Sequence, residues 1–139
     1  MGEELSLGQR GLKEFAQRHG LPFVATNLSR ATKSDTGRLF PRFRLLETSD
    51  GLTVAVMGIV GPDQLEGVPV ALRAQWRIDD PILAIQAARD ALEQQLHRAP
   101  DLVVALVATG KGETSARLMQ HLGLDLVIGL DGGATGGDV

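Results

Sequence analysis

Apolar and polar positions alternate along this chain with two different periods, and the changes of period divide it into elements. Leu12, Phe15 and Ala16, with His19 beyond them, recur every three or four residues and define one face of a helix. Ser6 and Gln9 have capping-box spacing at its start, and Gly20 stops it. Pro22 follows, and "LPFVATN" at 21–27 predicts a short strand entered from that turn. Residues 29–41 are polar, with Gly37 and Pro41, and lead into "RFRLLET". There Phe43 and Leu45 alternate with Arg42 and Arg44, which predicts a half-exposed strand. "SDG" at 49–51 is a tight turn, and "LTVAVMGIV" after it is dense enough in β-branched residues for a central strand covered on both faces. The two strands form a hairpin.

From Gly61 to Ile78 no period survives, and Pro62, Gly67 and Pro69 predict a long surface excursion. Asp80 and Pro81 then give the strongest helix start in the chain, a carboxylate acceptor followed by a proline at the first helical position. Ile82, Ile85, Leu92 and Leu96 keep one face apolar as far as about His97, and Pro100 ends the helix. "DLVVALVA" predicts a second buried strand, "GKGETSARLMQHLG" a loop and short helix closed by Gly123, and "DLVIGL" a third buried strand. The order strand, helix, strand, helix, strand from 53 to 130 is that of a parallel sheet with crossovers. The expectation is one α/β domain over residues 1–130, with mixed sheets and flanking helices, and a flexible glycine-rich tail at 131–139.

Composition narrows the functional classes. A chain of 139 residues, 43% of them apolar, can bury a core of ordinary size. The net charge is -3 with basic residues dispersed, so there is no electrostatic footprint for nucleic acid. There are no cysteines, which removes disulfides, thiolate metal sites and cysteine nucleophiles. The longest apolar runs, near 52–60 and 102–108, are too short to insert across a membrane, and "MGEELSLGQR" has no apolar leader core.

The candidate chemistry lies in loops. "TGKGETS" at 109–115 follows a strand and opens a helix, so Gly110, Lys111, Gly112 and Thr114 could hold a phosphate or nucleotide in the stretch Gly110 to Ser115. It lacks Walker spacing, and the structural alternative is a strand-to-helix turn with a solvated lysine. His19, His97 and His121 fall in last helical turns, where an imidazole suits exposed carbonyls, and none has a partner at ligand spacing. No serine sits in a nucleophile elbow. Asp79 and Asp80 read as a helix cap. The basic residues at 30, 33, 38, 42 and 44 form a solvated strand face or a surface for an acidic partner. Trp76 pins the long excursion to the core.

Taken together, "GLKEFAQRHGLPFVATNLS", "GLTVAVMGIVGP", "DDPILAIQAARDAL" and "DLVVALVATG" with "GLDLVIGLDGG" resemble the later two thirds of the catalytic domain of 5′-nucleotidase-type metallophosphoesterases, the calcineurin-like phosphoesterases. The resemblance implies part of an α/β/β/α sandwich on which two divalent metals activate water and clamp a phosphoryl group. In that family a Gly-Asn-His-Glu-Phe-Asp-x-Gly signature precedes the first helix. "MGEELSLG" aligns with it but shares only Glu4 and Gly8, with Gly2 at the ligand asparagine and Glu3 at the histidine. A later strand that ends in a ligand histidine reads Val107, Ala108, Thr109, Gly110, so Ala108 stands at the ligand position. The closing Gly-Gly-His-x-His is here Gly129 to Gly133, which puts Asp131 and Gly133 at the two histidines and leaves Asp131 as the one candidate metal ligand.

The resemblance therefore implies a retained framework with a degenerate site: a non-catalytic module with a binding or structural role, and no cofactor. Two alternatives stand beside it. One is a metal-dependent hydrolase whose two divalent metals are held with the help of residues outside this chain. The other is an anion binder using Gly110 to Ser115. The family's remaining ligands would precede Met1, so the chain is expected to be part of a larger domain, with an open sheet edge for a missing segment or a protein partner. Members are often exported, so the resemblance also implies an extracytoplasmic location.

Overall fold

A computed structural model describes residues 8–20, 23–31, 40–108 and 123–129. Its elements are α1 (Gly8–His19), β1 (Leu28–Arg30), β2 (Phe43–Glu47), β3 (Thr53–Val60), α2 (Val70–Arg73), β4 (Trp76–Ile78), α3 (Pro81–Leu96), β5 (Leu102–Ala108) and β6 (Leu126–Gly129). The four-stranded sheet runs β2-β3-β5-β6, and β1 and β4 pair as a second, two-stranded sheet. β2 is antiparallel to β3, with Phe43 opposite Met57, whereas β5 and β6 run parallel to it. This is the α/β architecture with mixed sheets and flanking helices that the sequence predicts.

The hairpin forms as expected. Gly51 takes φ +82° in the turn, and the Thr48 N–H donates to the Leu52 carbonyl at 2.9 Å. The parallel crossover forms because α3 starts cleanly: Asp80 Oδ1 accepts from the Ile82 and Leu83 amides at 2.9 and 3.2 Å, with Pro81 after the cap. Ile85, Ala88 and Leu92 are fully buried along the inner face of α3. Ile85 and Ala88 join Met57 and Ile59 of β3 and Val103, Ala105 and Val107 of β5 in one cluster. A second cluster joins Leu12 of α1, Leu28, Val60, Val68 and Trp76. β3 thus has apolar cover on both faces, as its unbroken β-branched sequence predicts.

"Asp-Leu-Val" opens both later strands, and its aspartate does the same work twice. Asp101 Oδ2 accepts from the Thr53 amide at 2.7 Å, while its own N–H donates to the Thr53 carbonyl at 2.9 Å. Asp125 Oδ2 likewise accepts from the Val103 amide at 2.7 Å, and its N–H donates to the Val103 carbonyl at 3.0 Å. Each parallel strand is therefore latched in register to its neighbour at its first residues.

Several expectations are corrected. Residues 23–27 do not form a strand; the strand is the shorter β1 that follows directly, because this segment is held to β3 by one hydrogen bond between peptide groups, from the Thr26 N–H to the Gly58 carbonyl, and otherwise by the side chains of Thr26 and Asn27. The excursion from 61 to 78 is not featureless, since Pro62–Leu65 is a 3₁₀ turn, α2 is one helical turn and β4 pairs with β1. Trp76, 5% exposed, pins that region from within β4 rather than from a loop. α3 runs to Leu96, as its apolar face predicts, and closes at His97, which takes the left-handed conformation at φ 57° and donates its N–H to the Glu93 carbonyl. β6 is not a buried strand either: Leu126 and Ile128 are 49% and 42% exposed, and only Val127 reaches the core cluster. The capping-box Ser6, the segment 109–122 and the tail 131–139 lie outside the described residues.

Candidate functional site

The place to look for chemistry is the carboxyl end of β3 and β5, where the parallel strands release their loops. Val60 and Ala108 are register partners there, and the Gly61 N–H donates to the Ala108 carbonyl at 2.9 Å. Ala108 is 5% exposed. Its side chain is a methyl group, so it offers a metal no donor.

The wall of this end is built from three buried polar residues that sequence reasoning treated only as the end of a strand. Thr26 and Asn27 are 0% exposed and Ser29 is 3%. The Thr26 N–H donates to the Gly58 carbonyl at 2.8 Å, and Thr26 Oγ1 accepts from the Gly58 amide while donating to the Arg42 carbonyl. Asn27 Oδ1 accepts from the Val60 amide, and its Nδ2 donates to the Val60 carbonyl, both at 2.8 Å. Nδ2 also donates to the Asp79 carbonyl at 3.2 Å. Gly58 makes the approach possible, because a Cβ there would lie 2.5 Å from the Val24 carbonyl oxygen. The available signal was two consecutive polar residues, Thr26 and Asn27, ending the apolar run 21–25.

A cavity of about 220 Å³ opens beside this node, between Gly61, Asp63, Glu66, Asp79 and Asp80. Three of its four carboxylates have structural partners. Asp79 Oδ1 accepts from Arg77 Nε at 2.8 Å and its Oδ2 from Ser29 Oγ at 3.1 Å. Asp80 caps α3, and Asp63 accepts from Gln64 Nε2 at 3.1 Å. Among the described residues no group of three or more histidines, cysteines, aspartates or glutamates is placed to hold a metal ion. Two close cations need several anionic or imidazole donors, and the described residues at this end do not fit them.

Of the residues singled out by sequence, Ala108 stands at this end of the sheet. Gly2, Glu3, Gly110, Lys111, Gly112, Thr114, Asp131 and Gly133 lie outside the described residues. His19 closes α1 with its ring 4.6 Å from that of Phe15, and His97 caps α3. The two are on separate helices, and among the described residues neither belongs to a group of side chains that could hold a metal ion. No helix among the described residues is long and apolar enough to cross a membrane.

An α/β domain with this strand order has the fold of metallophosphoesterase-type domains. Three solved structures share this fold. The sulfate thiohydrolase SoxB of Thermus thermophilus, solved with glycerol, superposes with a TM-score of 0.72 at 20% identity, over 90% of this chain and 22% of that one. A 5′-nucleotidase precursor from Thermus thermophilus gives 0.67 at 21% identity, over 92% and 24%. The calcineurin-like phosphoesterase YfkN of Bacillus subtilis gives 0.67 at 18% identity, over 92% and 42%. The chain thus spans less than a quarter of the first two proteins, and the likeness at these identities is one of fold. No family model matches the sequence, and no curated protein matches it.

Proposed function

We propose that this chain is a non-catalytic module on a metallophosphoesterase-type framework, with a binding or structural role. The observation that carries the proposal is Ala108: β5 and its register with β3 are formed, while the side chain at the position that the resemblance gives to a ligand histidine is a methyl group. The neighbouring carboxylates of Asp79 and Asp80 are engaged in holding Ser29, Arg77 and the start of α3. In this reading the framework is retained for what it presents to a partner. The test is hydrolysis of a chromogenic phosphate ester in the presence of manganese or zinc. The expected result is no turnover above that of the metal alone; turnover that disappears in Asp131→Ala overturns the proposal.

A second reading is favoured by the coverage of the solved neighbours, 22% and 24% of the first two chains. It is a metal-dependent phosphoester hydrolase completed by residues outside these 139 positions. Metal analysis of this chain alone and of any longer protein that contains it separates the readings. Two bound ions in the longer protein and none in the chain support the second.

A further inference from the structure

We propose that the outer edge of β2 is a docking edge for an extended, acidic segment of a partner protein, which adds a fifth strand to the sheet. β2 is the first strand of the β2-β3-β5-β6 sheet, so β3 occupies one of its edges and no described strand pairs with the other. Two bonds fix which peptide groups point where. The Thr48 N–H donates to Leu52 across the hairpin, and the Arg42 carbonyl accepts from Thr26 on the β3 side. Even-numbered residues of β2 therefore bond inward, and the N–H and C=O groups of Phe43, Leu45 and Glu47 point out along the free edge.

A groove of about 570 Å³ runs beside that edge, lined by the strand from Pro41 to Leu46 and by Ala91 and Gln95 of α3. Consecutive residues from both faces of a strand line one groove only if the groove lies along its edge. The groove carries two cations, Arg42 and Arg44, and no carboxylate among its described lining residues. Arg44 is held in place by its Nε, which donates to the Phe23 carbonyl at 2.9 Å. That charge selects an acidic segment. It also disfavours a second copy of this chain. Antiparallel self-pairing about Leu45 sets each Arg44 diagonal to its mate, where like charges repel. The proposal deepens the binding role above, yet hydrolysis of a phosphoester would overturn that role and leave this edge as it is.

The test uses the full chain and a fluorescein-labelled peptide of alternating valine and glutamate, with alternating valine and lysine as control. Anisotropy is expected to show binding of the acidic peptide, at least tenfold weaker for the lysine peptide and for Arg42→Glu. Arg42→Glu leaves the Arg44 bond to Phe23 in place and keeps the fold testable. Backbone amide exchange by NMR is the second readout. The amides of Phe43, Leu45 and Glu47 are expected to gain tenfold or greater protection with peptide, while those of Arg44 and Leu46 are protected throughout. No binding, equal binding of the lysine peptide, or protection gained elsewhere would overturn the proposal. So would outward amides already protected in the free chain, which would mean that the chain or a second copy covers its own edge.

Discussion

The side-chain amide of Asn27 pairs with both backbone groups of Val60, each bond 2.8 Å long, and so stands in for a peptide unit beside the last residue of β3. β2 leaves β3 at Phe43, opposite Met57, so the outer peptide groups of Gly58 and Val60 have no strand beside them. Thr26 fills that place with its hydroxyl and its own N–H, and Asn27 with its side-chain amide. The carboxyl end of the sheet, where the loops at Gly61 and Asp79 diverge, is held by this substitute ladder.

Replacing Asn27 by leucine strands the N–H and C=O of Val60 in a fully buried place, at about 1–3 kcal/mol for each unsatisfied group. Urea denaturation is expected to show a total loss of roughly 3–4 kcal/mol with an unchanged slope. Asn27→Asp is more informative. Its carboxylate keeps the bond from the Val60 amide but turns a second oxygen toward the carbonyls of Val60 and Asp79. Burial and that repulsion favour the protonated acid, which can donate, and raise the folded-state pKa of the new group above its unfolded value. The stability it contributes is present below the unfolded pKa and lost as pH rises through the folded one, so the deficit against wild type is expected to be smaller at about pH 4 than at about pH 7. A deficit independent of pH would mean the amide is not making these bonds.

Gly58 is the second half of the same contact. A Cβ there meets the Val24 carbonyl oxygen at 2.5 Å, and both partners are backbone, so relief requires the 23–27 segment to move off β3. Gly58→Ala is expected to cost about 2–3 kcal/mol, at the upper end of overpacking effects. Because it and Asn27→Leu disrupt one docking event, the double variant should lose less than the sum. Strict additivity in the double-mutant cycle would show that the two residues act separately.

Much of this arrangement was legible in the sequence, and the parts that were not share a cause. β3, β5, the hairpin and the Asp80 cap follow from local rules, because β-branched density, a turn glycine and a cap before proline act within a few residues. The segment 23–27 looked like a strand because it is apolar and ends in polar residues. Its true partner is chosen 30 residues away, by the missing Cβ of Gly58 and the bare peptide groups of Val60. β4 has only three residues, too few for a period, and exists because β1 is beside it. β6 has the same apolar run as β5 but lies at the end of the described sheet, and burial depends on neighbours that composition does not reveal. At the candidate site Ala108 was found by comparison with a family pattern, whereas Thr26, Asn27 and Ser29 needed the coordinates.

His97 closes α3 in the left-handed conformation, φ 57°, where a side chain with a Cβ is strained by about 1–2 kcal/mol and glycine is not. His97→Gly is therefore expected to stabilise the chain by about 0.5–1 kcal/mol after its larger unfolded-state entropy is set against the relief. Thermal unfolding followed by circular dichroism measures it. Loss of stability in His97→Gly would show that the imidazole, at an open surface formed with Glu93 and Arg98, makes a contact worth more than the strain.

Metal binding gives the sharpest check on the functional proposal, because it is read from stability and needs no substrate. A ligand that binds only the folded chain stabilises it by RT ln(1 + [L]/Kd), about 2.7 kcal/mol at 100 times Kd. For a chain of 139 residues that is a rise on the order of 10 °C in Tm. With a methyl group at Ala108 and the Asp79 carboxylate taken up by Arg77 and Ser29, manganese or zinc is expected to leave Tm unchanged relative to a chelator. Ala108→His alone should not restore a shift, since one imidazole added to this wall offers a cation a single donor, where a site needs several. A rise of several degrees in the wild-type chain, abolished by Asp131→Ala, would show that these residues assemble a cation site after all. The same rise abolished by Asp79→Asn instead would place the site in the cavity beside Gly61.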